Sequence, residues 1–166
     1  SILVKLKDIN LETPTENCHQ AINELLQRSV LLGGKRLRPL LTYIFCDLYG
    51  IDFSNHELSD ICATSIEMVH AASLAHDDVI DEATQRRGNP SINIQASNKK
   101  AVLAGDYLLA AVITRLTEKG SLELVGEMSK VISALSLGEW LQADAIIHRQ
   151  YNRDLIAQIA SCKTSS

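Results

Sequence analysis

Only three prolines and eight glycines interrupt the 166 residues, and between them no alternation of apolar and polar positions persists long enough to mark a strand. A β-rich fold is thereby excluded. The four cysteines, Cys18, Cys46, Cys62 and Cys162, include no C-x-x-C pair, which points to reduced, core-facing thiols rather than a disulfide framework or a zinc site. No apolar run reaches the length of about 18 residues that a membrane-spanning helix needs, and the N-terminus lacks the charged start and long apolar stretch of a secretory signal. The cytosol is the default compartment, although a processed organellar protein would read the same. Positive charge is not in excess either: 16 Lys+Arg against 20 Asp+Glu leave a net charge of −4. No overall field draws nucleic acid or acidic lipid, so any anion must be met by a local basic cluster.

What is present is an apolar fraction of 46% with 22% charged residues, enough for residues 1–166 to form a single globular domain. Thr13 as N-cap with Pro14 behind it predicts a first helix running through AINELLQRSVLL to Gly33-Gly34. A second opens at Pro39 and ends at Gly50. The third is long, from about Asn55 to Asp81, with Leu58, Ile61, Cys62, Ile66, Val69, Ala72, Ser73 and Leu74 at helical spacing. After the polar loop RRGNPS come helices over 99–119 and 122–145, and a last one from about Asp154 that meets no terminator before the chain stops. The expected fold class is all-α, a bundle of packed helices.

Two clusters in this pattern suit chemistry. Asp77, Asp78 and Asp81 fall at the C-terminal end of the third helix, where like charges repel and the helix dipole disfavours carboxylates. Cations would relieve that cost, and hard oxygen ligands in this number suit Mg²⁺ shared with a substrate's phosphates. Taken alone, D-D-x-x-D reads equally as a solvated acidic helix end. The flanks favour the metal: MVHAASLA before it is apolar and small, and Arg86, Arg87 and Gly88 follow in a turn, where arginine forks can grip phosphate oxygens. The second cluster is GGKRLRP, residues 33–39, which sets Lys35, Arg36 and Arg38 in a glycine-led connection before a helix start. It lacks the spacing and preceding strand of a P-loop. A solvated basic turn is the competing reading. A basic and an acidic pocket in one small helical domain imply two anionic substrates.

GGKRLRP, EMVHAASLAHDDVID with the following RRG, LAGDYLL at 103–109, GEWLQ at 138–142 and KT at 163–164 together resemble the ordered motifs of the trans-polyprenyl diphosphate synthases. The resemblance implies a helical bundle of the isoprenoid synthase type that condenses isopentenyl diphosphate with an allylic diphosphate, with Mg²⁺ as cofactor and a homodimer as the assembly. Matched motif by motif, it implies that Asp77, Asp78 and Asp81 coordinate the metal and grip the allylic diphosphate, assisted by Arg86. Lys35, Arg38, His70 and Arg87 would hold the isopentenyl diphosphate. Lys163 and Thr164 would stand beside the allylic leaving group, and Gln142 would face the developing carbocation. Such chemistry needs the leaving charge absorbed and water excluded from the cation.

In this family the residues just upstream of the first aspartate motif set product length, and here they are the small Ala72 and Ser73. The resemblance therefore implies a long-chain product, such as a quinone side-chain precursor. A second aspartate-rich motif belongs downstream of Lys163-Thr164, beyond Ser166, so the bundle reads as lacking its C-terminal helices; either the protein continues or it is a truncated or non-catalytic subunit of a heteromeric synthase. A di-iron bundle built on Glu67-x-x-His70 and Glu16-x-x-His19 fails on helix order and leaves the arginines without a role. A terpene cyclase has no use for GGKRLRP. His76 reads as a packed structural residue, Trp140 as core, and Lys99-Lys100 as a solvated helix start.

Overall fold

The computed structural model describes residues 1–11, 19–53, 57–119, 122–149 and 151–165. The expected cap at Thr13 and Pro14, Glu16, Cys18 and the expected helix start at Asn55 lie outside the described residues. The chain divides into two compact units, 1–120 and 121–166.

The first unit holds α1 (Ile2–Lys7), α2 (Gln20–Gln27), α3 (Leu37–Leu48), α4 (Glu57–Ile80), a two-stranded hairpin of β1 (Gln85–Arg86) and β2 (Asn89–Pro90), α5 (Ile92–Gln95) and α6 (Asn98–Lys119). Its centre is α4, packed against α3 and against α6. Buried residues recur along α4 at Thr64, Met68, Ala71, Ala75 and Asp78, and along α6 at Ala101, Ala104, Leu108, Ala111 and Leu116. This is the helical stripe of two neighbours that bury each other. Each fully buried side chain of the size of Met68 or Leu108 contributes about 1.5–3 kcal/mol relative to exposure.

Small residues let α4 and α6 approach closely. A Cβ on Gly105 would lie 2.6 Å from Cδ2 of His76, so the glycine makes room for the imidazole. His76 Nε2 meets the Val102 carbonyl at 3.2 Å and Asp106 at 3.3 Å. His76 is thus a packed residue that ties α4 to α6, as the sequence suggested.

The second unit is α7 (Leu122–His148), α8 (Arg153–Ala160) and a π-helical turn over Ser161–Ser165. The Asn152 side chain caps α8 by accepting from the Leu155 N–H at 2.8 Å. The closing turn folds back on α7 at Gly138, where a Cβ would come within 2.7 Å of Lys163 Cγ.

Several boundaries differ from the sequence expectation. The helix expected to reach Gly33 ends at Gln27, where the i→i−4 ladder gives way: Ser29 N–H and Leu31 N–H both bond the Leu26 carbonyl, at 3.2 and 3.0 Å. The turn buries Val30 and Leu31. The loop RRGNPS is a hairpin whose two turn residues, Arg87 and Gly88, both have positive φ, as a two-residue type I′ connection requires. Trp140, expected in the core, is exposed. Among the described residues, no helix is long and apolar enough to cross a membrane.

Candidate functional site

The glycine-led connection 33–36 is built on left-handed backbone: φ is +67 at Gly33, +91 at Gly34 and +49 at Arg36. The turn delivers Lys35 and Arg38 to the mouth of α3. There they line a cavity of about 400 Å³ together with Arg36, Glu67 and His70 of α4 and Arg87 of the hairpin. All four residues assigned to isopentenyl diphosphate, Lys35, Arg38, His70 and Arg87, therefore border one space.

Arg87 is held there by its Nη1, which donates to the Leu32 carbonyl at 3.0 Å. A Cβ on Gly34 would stand 2.8 Å from that nitrogen, so the glycine serves both the left-handed turn and the guanidinium. Lys35, Arg38 and Arg87 are exposed at the cavity, while His70 is half-buried. Burial, then the Arg38 charge, lowers the His70 pKa to about 4 against an opposing pull from Glu67. The imidazole is neutral at neutral pH and faces the cavity as a hydrogen-bonding group rather than a cation.

The three aspartates do not act as one set. Asp78 is fully buried on the stripe that faces the core, and its Oδ1 accepts from Arg86 Nε at 2.8 Å and Nη2 at 2.7 Å. Its Oδ2 receives the Ile92 N–H at 3.4 Å. Asp78 is therefore the post around which the hairpin and α5 fold. Asp77 is half-buried and Asp81 exposed. They are joined along the helix by the Asp81 N–H to Asp77 carbonyl bond of 2.8 Å, and side chains four apart share a face. Among the described residues, no three His, Cys, Asp or Glu groups are gathered as a metal site. The periodicity already carried this distinction, since Asp78 continues the stripe Met68, Ala71, Ala75 at helical spacing whereas Asp77 and Asp81 do not.

Upstream, Ala72 and Ser73 also part company. Ala72 is fully buried and Ser73 is half-buried, its hydroxyl donating to the His70 carbonyl at 2.8 Å. In the second unit, Lys163 Nζ pairs with Glu139 Oε1 and donates to Gln142 Oε1 at 3.0 Å. Gln142 thus commits its carbonyl oxygen to Lys163, and Thr164 is exposed. Sequence reasoning missed Arg36 and Glu67 as partners: Arg36 Nη1 donates to Glu67 Oε1 at 2.7 Å. The E-x-x-H spacing drew attention to Glu67 for iron, but its carboxylate belongs to an ion pair.

Residues 19–166 match the polyprenyl synthetase family model. The chain belongs to that family. The all-trans-nonaprenyl-diphosphate synthase (geranyl-diphosphate specific) of Rhodobacter capsulatus is 36% identical over 133 residues, which are 80% of this chain and 40% of that one. A decaprenyl diphosphate synthase from Rhodobacter capsulatus superposes with a TM-score of 0.87 at 30% identity, covering 98% of this chain and 49% of that one. The polyprenyl synthase from Caulobacter crescentus, solved complexed with calcium and isoprenyl diphosphate, superposes at 0.81 with 26% identity over 98% of this chain and 47% of its own. The fold is thus the all-α isoprenoid synthase fold, and the chain spans less than half the length of these family members.

Proposed function

We propose that this chain forms the isopentenyl diphosphate-binding and first metal-binding part of a trans-prenyltransferase that elongates an allylic diphosphate, with a long-chain product of the quinone side-chain class. The observation that carries the reading is the convergence of Lys35, Arg38, Arg87 and His70 on one cavity. Three cations and a neutral imidazole match a diphosphate, whose oxygens take charge-assisted hydrogen bonds from guanidinium forks and an ammonium. The Rhodobacter and Caulobacter relatives support the substrate class.

Asp77 and Asp81 supply the kind of donor pair that Mg²⁺ takes from a protein, one or two carboxylates with the remaining positions left to water and phosphate. When bound there, the ion would absorb charge on the leaving diphosphate as its carbon–oxygen bond breaks. Arg86 presents the remaining nitrogen of its fork, since Nε and Nη2 are engaged by Asp78. Ser73, half-buried one turn before Asp77, is the residue we assign to product length in place of the packed Ala72. In the second unit, Lys163 is the cation assigned to the allylic leaving group, with Thr164 beside it in the chain and Gln142 holding Lys163. The exposed apolar side chains of α7, Leu137, Trp140 and Ile147, support association of two copies.

Calorimetric titration of the full-length gene product with isopentenyl diphosphate tests the cavity assignment. Binding that Lys35→Ala and Arg38→Ala each weaken supports it; binding unaltered in both variants removes the cavity from the reaction.

A further inference from the structure

Arg36 lies between Lys35 and Arg38 in the chain and lines the same cavity, yet its donors point elsewhere. Nη1 donates to Glu67 Oε1 at 2.7 Å and Nη2 to the Leu31 carbonyl at 2.8 Å. Its backbone sits at φ +49, a conformation uncommon for a residue with a side chain and held only where the surroundings fix it. Its own carbonyl accepts the Leu40 N–H at 3.0 Å, which begins the first turn of α3. Glu67 is only 5% exposed and stands one turn before His70 on α4. A buried carboxylate in the wall of an anion-binding cavity repels the ligand unless a cation answers it.

We propose that Arg36 is a positioning residue: it neutralises Glu67 and pins the connection carrying Lys35 and Arg38 to α4, and does not itself hold the anion. The proposal rests on the reading of this cavity as the isopentenyl diphosphate site. It divides the basic motif into ligand-facing cations, Lys35 and Arg38, and one cation turned inward.

The test measures KM for isopentenyl diphosphate, kcat and melting temperature in the full-length gene product. Arg36→Met is expected to raise that KM by about tenfold or more, with a much smaller change in kcat, because the bared Glu67 carboxylate opposes the diphosphate. Adding Glu67→Gln to Arg36→Met is expected to bring the KM back toward wild type, which loss of a structural contact would not do. Glu67→Gln alone keeps an acceptor for Arg36 while deleting the opposing charge, so it is expected to lower the KM. A wild-type KM in Arg36→Met overturns the proposal, as does a double variant no better than the single one. Should Arg36→Met fail to fold, an unchanged or raised KM in Glu67→Gln overturns it and a lowered one supports it. Lys35→Ala and Arg38→Ala separate the two levels: a KM unaltered in both removes the cavity reading and this proposal together. A raised KM in Lys35→Ala beside a wild-type KM in Arg36→Met removes this proposal alone.

Discussion

Asp78 and Arg86 form a two-point ion pair, Oδ1 to Nε at 2.8 Å and to Nη2 at 2.7 Å, with the carboxylate fully buried and the guanidinium about a quarter exposed. Breaking a fully buried pair costs about 3–5 kcal/mol, and partial exposure of the arginine reduces that to roughly 2–3 kcal/mol for Asp78→Asn. The variant should lower the melting temperature while leaving the Mg²⁺ dependence of turnover close to wild type. Asp77→Asn and Asp81→Asn should do the reverse, raising the Mg²⁺ requirement by about tenfold or more, as loss of a charged contact worth about 1.5–3 kcal/mol implies. Titration of activity with Mg²⁺ beside thermal melts checks the division; a shifted Mg²⁺ requirement in Asp78→Asn returns that residue to the metal.

Gly34→Ala combines backbone strain at φ +91 with a Cβ 2.8 Å from Arg87 Nη1. Left-handed strain of this kind costs about 1–3 kcal/mol. The variant should melt lower and bind isopentenyl diphosphate more weakly, because Arg87 must leave the Leu32 carbonyl. Equal affinity in a correctly folded variant would detach Arg87 from the cavity.

Gly105→Ala tests the approach of α4 and α6. Overpacking of this type costs about 1–3 kcal/mol. In a His76→Ala background the imbalance is relieved, so the same substitution should cost less, and a double-mutant cycle by denaturant unfolding reads the difference. Additive costs would show that His76 is not what fills the space at Gly105.

Acidification probes His70, whose pKa is lowered to about 4 by burial and the Arg38 charge. An unfolded histidine binds its proton near pH 6.5, so between about pH 6.5 and 4 the unfolded chain holds more protons than the folded one. Stability therefore falls as pH drops through that window and levels off below it. His70→Gln should flatten this part of the stability profile. A profile as steep as wild type would assign the loss to other groups.

Product length distinguishes two neighbours. Ala72 is fully buried, so Ala72→Phe should overpack the core and destabilise by about 1–3 kcal/mol or more. Ser73 is half-buried, and Ser73→Phe should shorten the products of the full-length protein while keeping it folded. An unchanged product distribution in Ser73→Phe contradicts its assignment.

The long helices were legible because their periodicity is strong. The third, expected from about Asn55 to Asp81, is Glu57–Ile80, and those expected over 99–119 and 122–145 are Asn98–Lys119 and Leu122–His148. What escaped depends on contacts that a linear pattern carries weakly. The helix before Gly33 ends early because Ser29 and Leu31 N–H both turn to the Leu26 carbonyl, and the hairpin at 85–90 rests on Arg87 adopting positive φ, a conformation rare outside glycine. The chemistry-bearing residues were found by motif, but their division of labour was not. Asp78 differs from Asp77 and Asp81 by falling on the apolar stripe of α4, a signal the motif alone passes over, whereas Arg36 separates from Lys35 and Arg38 only when burial and partners are known.

The most direct test of the account is elongation itself. The full-length gene product is incubated with Mg²⁺, isopentenyl diphosphate and farnesyl diphosphate, and the extracted products are sized by chromatography. Products longer than farnesyl diphosphate that disappear when Mg²⁺ is chelated are expected; isopentenyl diphosphate left unconsumed in the presence of Mg²⁺ and an allylic primer would contradict the assignment.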